Sequence, residues 1–270
     1  YQSEIFLHPH GIHIWRQCDC AQFAINYYTE SMNFFEPRLS MCAGNDGKMG
    51  SEFPIIYYSA AILYKIFGVH DWFIRIINLL IFFMGLFYLA KAIALFLDDK
   101  FYGLVLALML FTSPILIDYA NNFLPDVPAL SLSFIGLYYF LSYTKDHRTR
   151  VLWKSTFFFA FAGLLKVTAL MSFLCITGTL FFAALINLNN TTVFLKEHRG
   201  DWKAWLGFLL LPLLISGAWI VYIKHYNLSN NNGYFLTTIV PYWQMDSEVI
   251  ERVKNMFEYT WLREFIYRDF

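Results

Sequence analysis

The chain has 270 residues, of which 58% are hydrophobic and 20% aromatic, and its Lys and Arg balance its Asp and Glu to a formal charge of zero. A soluble domain carries about 45–50% apolar residues, so this composition excludes an ordinary soluble protein. Zero net charge offers nothing to nucleic acid, and the chain reads as an all-α polytopic membrane protein.

Residues 1–72 read as a polar loop carrying two surface helices. It opens with His8, His10 and His13 and runs through Trp15-Arg-Gln-Cys-Asp19. Ala21, Ala24, Ile25, Tyr28 and Met32 recur at the spacing of one helical face, with Asp19, Gln22, Asn26, Thr29 and Asn33 beside them as a polar stripe. That pattern predicts a helix lying along the membrane surface and ended by Pro37. A turn-rich stretch then leads to Ser51-Glu-Phe-Pro54, where Pro54 suits the first turn of a second helix. This helix runs to Phe67, stops at Gly68 and is too short to span, since crossing takes about 20 apolar residues.

Residues 73–223 read as a transmembrane bundle of six crossings: Phe73–Leu97, Phe101–Ala120, Val127–Tyr143, Trp153–Leu165, Thr168–Leu185 and Trp205–Ile223, the fourth short. Alternate loops concentrate the cations, with Lys100, Lys145, Arg148, Arg150, Lys196, Arg199 and Lys203 on one side and no Lys or Arg in Asn121–Asp126 on the other. The positive-inside rule then predicts that the opening segment lies on the extracytoplasmic face. A cytoplasmic start requires one further span before Tyr1, so the chain reads as a fragment. Residues 224–270 read as an extracytoplasmic loop with a turn at Asn227–Gly233 and helical apolar spacing at Val249, Ile250, Val253, Met256 and Phe257. The cysteines read as free thiols, with a Cys42 bridge to Cys18 or Cys20 as the alternative. The Asn190-x-Thr192 sequon falls on the inner face and carries no weight.

This orientation places Asp19, Glu52, Asp126 and Lys166 on one face of the membrane. Asp19 heads the polar stripe, where a carboxylate serves as a general base or pairs with Arg16 one turn earlier. Glu52 is a second acidic group of the site, touching a divalent metal, or the charged residue at the start of its helix. Asp126 sits at the outer end of a span, where an unpaired charge is costly, and also suits a helix N-terminus. Lys166 interrupts an apolar run, as a phosphate contact or a lysine reaching back to the interface. Arg75, at the start of its span, contacts a lipid phosphate or anchors the helix. The histidines offer metal ligands, but their spacing lacks a helical i, i+4 pair, so metal binding is left open.

Trp15-Arg-Gln-Cys-Asp19, Phe35-Glu-Pro-Arg38, Ser51-Glu-Phe-Pro54, Tyr64-Lys-Ile-Phe-Gly68, Arg75, Pro125-Asp126 and Leu165-Lys166, in this order, resemble the landmarks of the integral-membrane GT-C glycosyltransferases. The chain is similar to the bacterial members related to protein O-mannosyltransferases and to the lipid A aminoarabinose transferase. The resemblance implies a GT-C-like helix bundle with surface helices in the first extracytoplasmic loop, seated in the inner (plasma) membrane. It implies an inverting enzyme that moves a sugar from a polyprenyl-phosphate donor to a hydroxyl of a lipid, glycan or protein acceptor. Asp19 matches the family's catalytic base, Asp126 the acidic residue of the next outer loop, and Glu52 the glutamate before the proline of the second surface helix. Lys166 is the best match for the cation that holds the lipid phosphate. Glu52-Phe53-Pro54 departs from the usual Glu-Lys-Pro, so the missing lysine's contact falls to Lys166, Arg38 or Arg75, with Arg16 a further cation of the site.

Two readings from other classes compete: a flippase or transporter of lipid-linked sugars, and a non-catalytic membrane scaffold. A transporter gathers its ionisable residues near the bilayer midplane, often on broken helices. Here they gather at one interface, which favours an enzyme. Neither the sugar nor the acceptor is written in these residues.

Overall fold

The computed structural model describes residues 4–11, 13–40, 46–186, 202–232 and 241–259. Among them there is no strand, only an isolated antiparallel bridge between Arg38 and Lys48. Two units are distinguished, residues 1–232 and 233–270.

The first unit begins with α1 (Ile14–Thr29) and α2 (Ile55–Phe67), which pack on each other. Pro54 directly precedes α2, and Gly68 ends it at φ 85, a value that favours glycine. The helix α1 ends earlier than Pro37, and its buried face keeps only Ala21 and Ala24 of the predicted apolar face. Ile25, Tyr28 and Met32 stay partly or fully exposed, while Gln17, Cys20, Phe23, Ala24, Asn26 and Tyr27 are buried. The reason is that α1 has a protein partner on this side. Phe23 stacks on Tyr57 of α2, Tyr27 meets Tyr58 edge to face, and the Asn26 amide donates to the Arg38 carbonyl at 2.9 Å.

A helical bundle follows: α3 (Trp72–Leu97), α4 (Lys100–Phe111), α5 (Pro114–Ala120), α6 (Asp126–Asp146), α7 (Thr149–Leu165), a single 3₁₀ turn Val167–Leu170, α8 (Met171–Leu185) and α9 (Trp202–Ser229). In this bundle α3 packs against α4 and α6, α6 against α7, and α7 against α9. Gly85 lets α3 lie directly on Ser131 of α6, where a Cβ would overlap the serine. Such small-residue contacts are how helices approach closely where lipid supplies no hydrophobic drive. An aromatic core of Phe140, Tyr143, Phe159, Phe173 and Phe208 joins α6 to α9. The opposite sides of these helices expose Leu80, Phe83, Phe87, Leu214 and Val221. Apolar side chains all round a helix suit a solvent of hydrocarbon, and the protein is an all-α polytopic membrane protein.

Each of the six predicted crossings is helical, but they differ in kind. Trp72–Leu97, Asp126–Asp146 and Trp202–Ser229 are long and apolar enough to cross alone. The predicted single span over Phe101–Ala120 is a pair of helices bent by 71°. Pro114 explains the break, because it lacks an N–H and steers the preceding Ser113 to extended backbone, ψ 117. Counted as one span, this pair brings the total among the described residues to four. The chain between Leu165 and Val167 is likewise interrupted, at an extended Lys166, which leaves α7 and α8 as short helices.

Of the second unit, the described residues form a turn, Tyr242–Gln244, and α10 (Ser247–Asn255). Val249 and Val253 of α10, with Met256 and Phe257 beyond it, are exposed, and Arg252 pairs with Glu248 at 2.7 Å. Cys42, the Asn190-x-Thr192 sequon, Lys196, Arg199, Gly233 and the residues after Tyr259 lie outside the described residues.

Candidate active site

The first cluster is built where α1 meets the loop before α2. Arg16, on the first turn of α1, donates to the Ser51 hydroxyl at 2.7 Å and to the Glu52 carboxylate, and its Nη1 stands 3.6 Å from Asp19 Oδ2. The spacing of Arg16 and Asp19 along α1 puts both on one side of the helix. Glu52 is taken from several directions at once, since Ser51 donates to it at 2.6 Å and the Tyr57 hydroxyl donates to its other oxygen. Cys20 lies 3.0 Å from the same Tyr57 hydroxyl.

These partners set the charge states. Burial by itself would raise the Glu52 carboxyl, but the Arg16 guanidinium and the hydrogen bonds from Ser51 and Tyr57 outweigh it and hold the group below its ordinary value. Burial, followed by the Glu52 charge, pushes the Cys20 thiol far up, so it stays protonated. Tyr57 is held neutral by burial and by Cys20 and Glu52.

The second cluster is built from two helix ends. Asp126 is the first residue of α6, and Lys166 closes α7; the Lys166 ammonium reaches the two Asp126 oxygens at 3.0 and 3.1 Å. The Phe53 N–H donates to the Leu164 carbonyl at 3.2 Å, so the residue after Glu52 is tied to a point two residues before Lys166. Trp219 of α9 donates its indole N–H to the Ser51 carbonyl at 3.1 Å, and its ring meets Phe53 edge to face. His13, just before α1, packs edge to face on Tyr119 of α5. Asp19, Arg16, Glu52, Asp126 and Lys166 thus share one end of the bundle. The Asp19 side chain is the most covered at 6% exposure, and Asp126 and Lys166 are open at 32% and 42%.

Two predicted cations are engaged in other contacts. Arg38 pairs with Glu30 at 3.5 Å and Glu36 at 4.0 Å, near Asn26, two turns beyond Asp19 on α1. Arg75 is 1% exposed; its guanidinium donates to the carbonyls of Asn121, of Leu7 at 3.0 Å and of His8 at 3.1 Å, and lies over the Phe123 ring. Buried under backbone, it anchors the opening segment to the turn before α6.

The candidate metal ligands are engaged in other contacts. Both Glu52 oxygens already accept hydrogen bonds, His8 is spent on Asp71 at 2.6 Å, and His10 sits against Arg75. Among the described residues no three His, Cys, Asp or Glu side chains gather around a common point.

Several residues of the site region escape a sequence reading. Asn78 of α3 donates to the carbonyls of Asn122 and Leu124 at 2.9 and 3.1 Å and so fixes the turn that presents Asp126. Asn227 of α9 binds both backbone groups of Gly50 at 2.9 Å, just before Ser51. An asparagine inside an apolar helix is a legible signal that something polar is held there. Tyr57 carries no such signal, because its neighbours Tyr58 and Tyr64 look the same in sequence.

A family profile described as dolichyl-phosphate-mannose-protein mannosyltransferase matches residues 51–222, more than half of the chain. The chain belongs to this family. Its fold is similar to that of ArnT from Cupriavidus metallidurans, known from a crystal structure in the apo state, with a TM-score of 0.55 at 15% identity over 89% of this chain. The chain spans 43% of that protein's length. No curated protein matches it. The family's match begins at Ser51, so it takes in Glu52, Asp126 and Lys166, while Arg16 and Asp19 precede it.

Proposed function

We propose that the protein is an inverting glycosyltransferase that moves a sugar from a polyprenyl-phosphate carrier to an acceptor hydroxyl of a lipid, glycan or protein at the extracytoplasmic membrane face. The observation that carries this reading is a covered carboxylate, Asp19, beside Arg16, with the loop of Glu52 tied by the Phe53–Leu164 hydrogen bond to the chain just before Lys166. The family membership supports the choice of a lipid-linked sugar donor. The distribution of Lys and Arg among the loops supports the face.

In this reading the acceptor oxygen attacks the anomeric carbon from the side opposite the carrier. The bond between that carbon and the carrier phosphate oxygen breaks as the new bond forms, and its electron pair leaves with the phosphate. Asp19 takes the acceptor proton. A lipid phosphate is a good leaving group, so no general acid is required, and a lone base with cations is sufficient. Inversion follows from a single displacement, unlike hydrolysis by a close carboxylate pair.

Glu52 then acts as a positioning residue: it takes the guanidinium of Arg16 closely, and the contact of Arg16 with Asp19 is the looser of the two. Asp126 holds the Lys166 ammonium at the open edge of the site, where a donor phosphate displaces the carboxylate as its partner. Arg38 and Arg75 take no part. The reading is tested with purified protein and a polyprenyl-phosphate sugar, following transfer and anomeric configuration by mass spectrometry and NMR. An inverted product lost in Asp19→Asn is expected; a retained configuration, or turnover unchanged in that variant, overturns it.

A further inference from the structure

At the far end of α3 from the site, a groove of about 540 Å³ opens between α3, α4 and α6. Lys91 lies sixteen residues beyond Arg75 on α3, or about 24 Å along a helix that rises 1.5 Å per residue. The groove therefore lies toward the opposite end of α3 from the turn that presents Asp126. Its walls carry charge of both signs, Lys91 and Lys100 with Asp98 and Asp99, on an apolar floor that includes Phe87.

These charges are arranged but not spent on each other. Among the described residues none of the four forms an ion pair. The Asp99 carboxylate accepts the Phe101 N–H at 2.7 Å with one oxygen, as the cap of α4. The Lys91 ammonium is held over three rings, 4.8 Å from the centre of Tyr138, 5.3 Å from Phe87 and 5.5 Å from Tyr88. That cage fixes the cation in place and leaves its N–H donors for a ligand.

We propose that this groove binds the headgroup of a phospholipid carrying a primary amine, as in phosphatidylethanolamine. The phosphate sits between Lys91 and Lys100, where cationic donors meet an anionic oxygen. The ammonium group donates to Asp98 and to the second oxygen of Asp99. A choline headgroup has no N–H to give these carboxylates, and the aromatic cage that would suit it is filled by Lys91. A glycerol headgroup leaves the acidic pair unanswered beside an anion. Charge complementarity thus selects the amine.

The test is native mass spectrometry of the full chain released from nanodiscs holding equal amounts of phosphatidylethanolamine, phosphatidylglycerol and phosphatidylcholine with the same acyl chains. The protein is expected to retain the ethanolamine lipid at least about fivefold over the other two. Lys91→Met is expected to erase that excess and Lys91→Arg to keep it. Asp98→Asn, at an exposed position whose φ of 56° asparagine tolerates, is expected to bring phosphatidylglycerol up to the ethanolamine lipid without loss of fold. Equal retention of the three lipids, a preference for phosphatidylglycerol, or an ethanolamine excess unchanged in both Lys91→Met and Asp98→Asn overturns the proposal.

Discussion

Arg16 makes its closest contact with Glu52 and leaves 3.6 Å between its guanidinium and Asp19. A carboxylate gripped tightly by arginine is a poor base, because the pairing favours its ionised form. By drawing the cation to itself, Glu52 keeps the contact between Arg16 and Asp19 loose. Asp19→Asn is therefore expected to lower sugar transfer by at least about 100-fold, the low end of what a general base contributes. Binding of the carrier lipid, measured by native mass spectrometry, should be retained.

Glu52→Gln tests the other partner. It keeps the shape and removes the charge that holds Arg16, so the guanidinium is expected to close on Asp19. Transfer should fall, by less than in Asp19→Asn, because the base is still present but held by the guanidinium. Initial rates of the two variants measured side by side separate the positioning role from the basic one.

Tyr57→Phe removes the buried phenol that donates to Glu52 and lies 3.0 Å from Cys20. A lost hydrogen bond to a charged group costs about 1.5–3 kcal/mol. The melting temperature in detergent should drop accordingly, with a smaller fall in transfer than in Glu52→Gln, since Arg16 and Ser51 still hold the carboxylate.

The lowered Glu52 value makes stability depend on acid. Its folded value lies below the ordinary 4.5, so in the unfolded chain it binds a proton first as pH falls. The stabilisation is present in full above 4.5 and is lost as pH drops through the lowered folded value. Thermal unfolding followed between pH 7 and pH 3 should show this acid limb, and Glu52→Gln should flatten it.

Lys166→Ala leaves Asp126 without its partner at a helix start that tolerates the charge. Fold should survive, while the KM for the polyprenyl-phosphate donor should rise about tenfold with a smaller change in kcat. Lys166→Arg should restore much of the affinity. An unchanged KM in Lys166→Ala would remove the lysine from the donor site.

Asn227→Leu removes the two hydrogen bonds to Gly50 in a buried setting. It strands a backbone donor and acceptor, each worth about 1–3 kcal/mol when unsatisfied. The variant should be strongly destabilised in thermal unfolding, and what folds should transfer sugar poorly because Ser51 and Glu52 lose their anchor to α9.

Periodicity, composition and punctuation determined much on their own. The apolar runs became α3 to α9, Pro54 and Gly68 bounded α2, and Asp126 opened α6, because these signals act within one or two turns of chain. The pairing of Arg16 with Asp19 was also local, one helical turn apart. Tertiary structure decided the rest. It turned the buried face of α1 toward Tyr57 and Tyr58, since a helix buries whichever side its neighbour covers. It sent Arg75 into a shell of carbonyls and Arg38 to Glu30, because a cation goes to whichever acceptors folding brings near. It joined Glu52 to Arg16, and Phe53 to Leu164 more than a hundred residues away, and no spacing along the chain encodes a contact that only the packing of α1, α2, α7 and α9 creates.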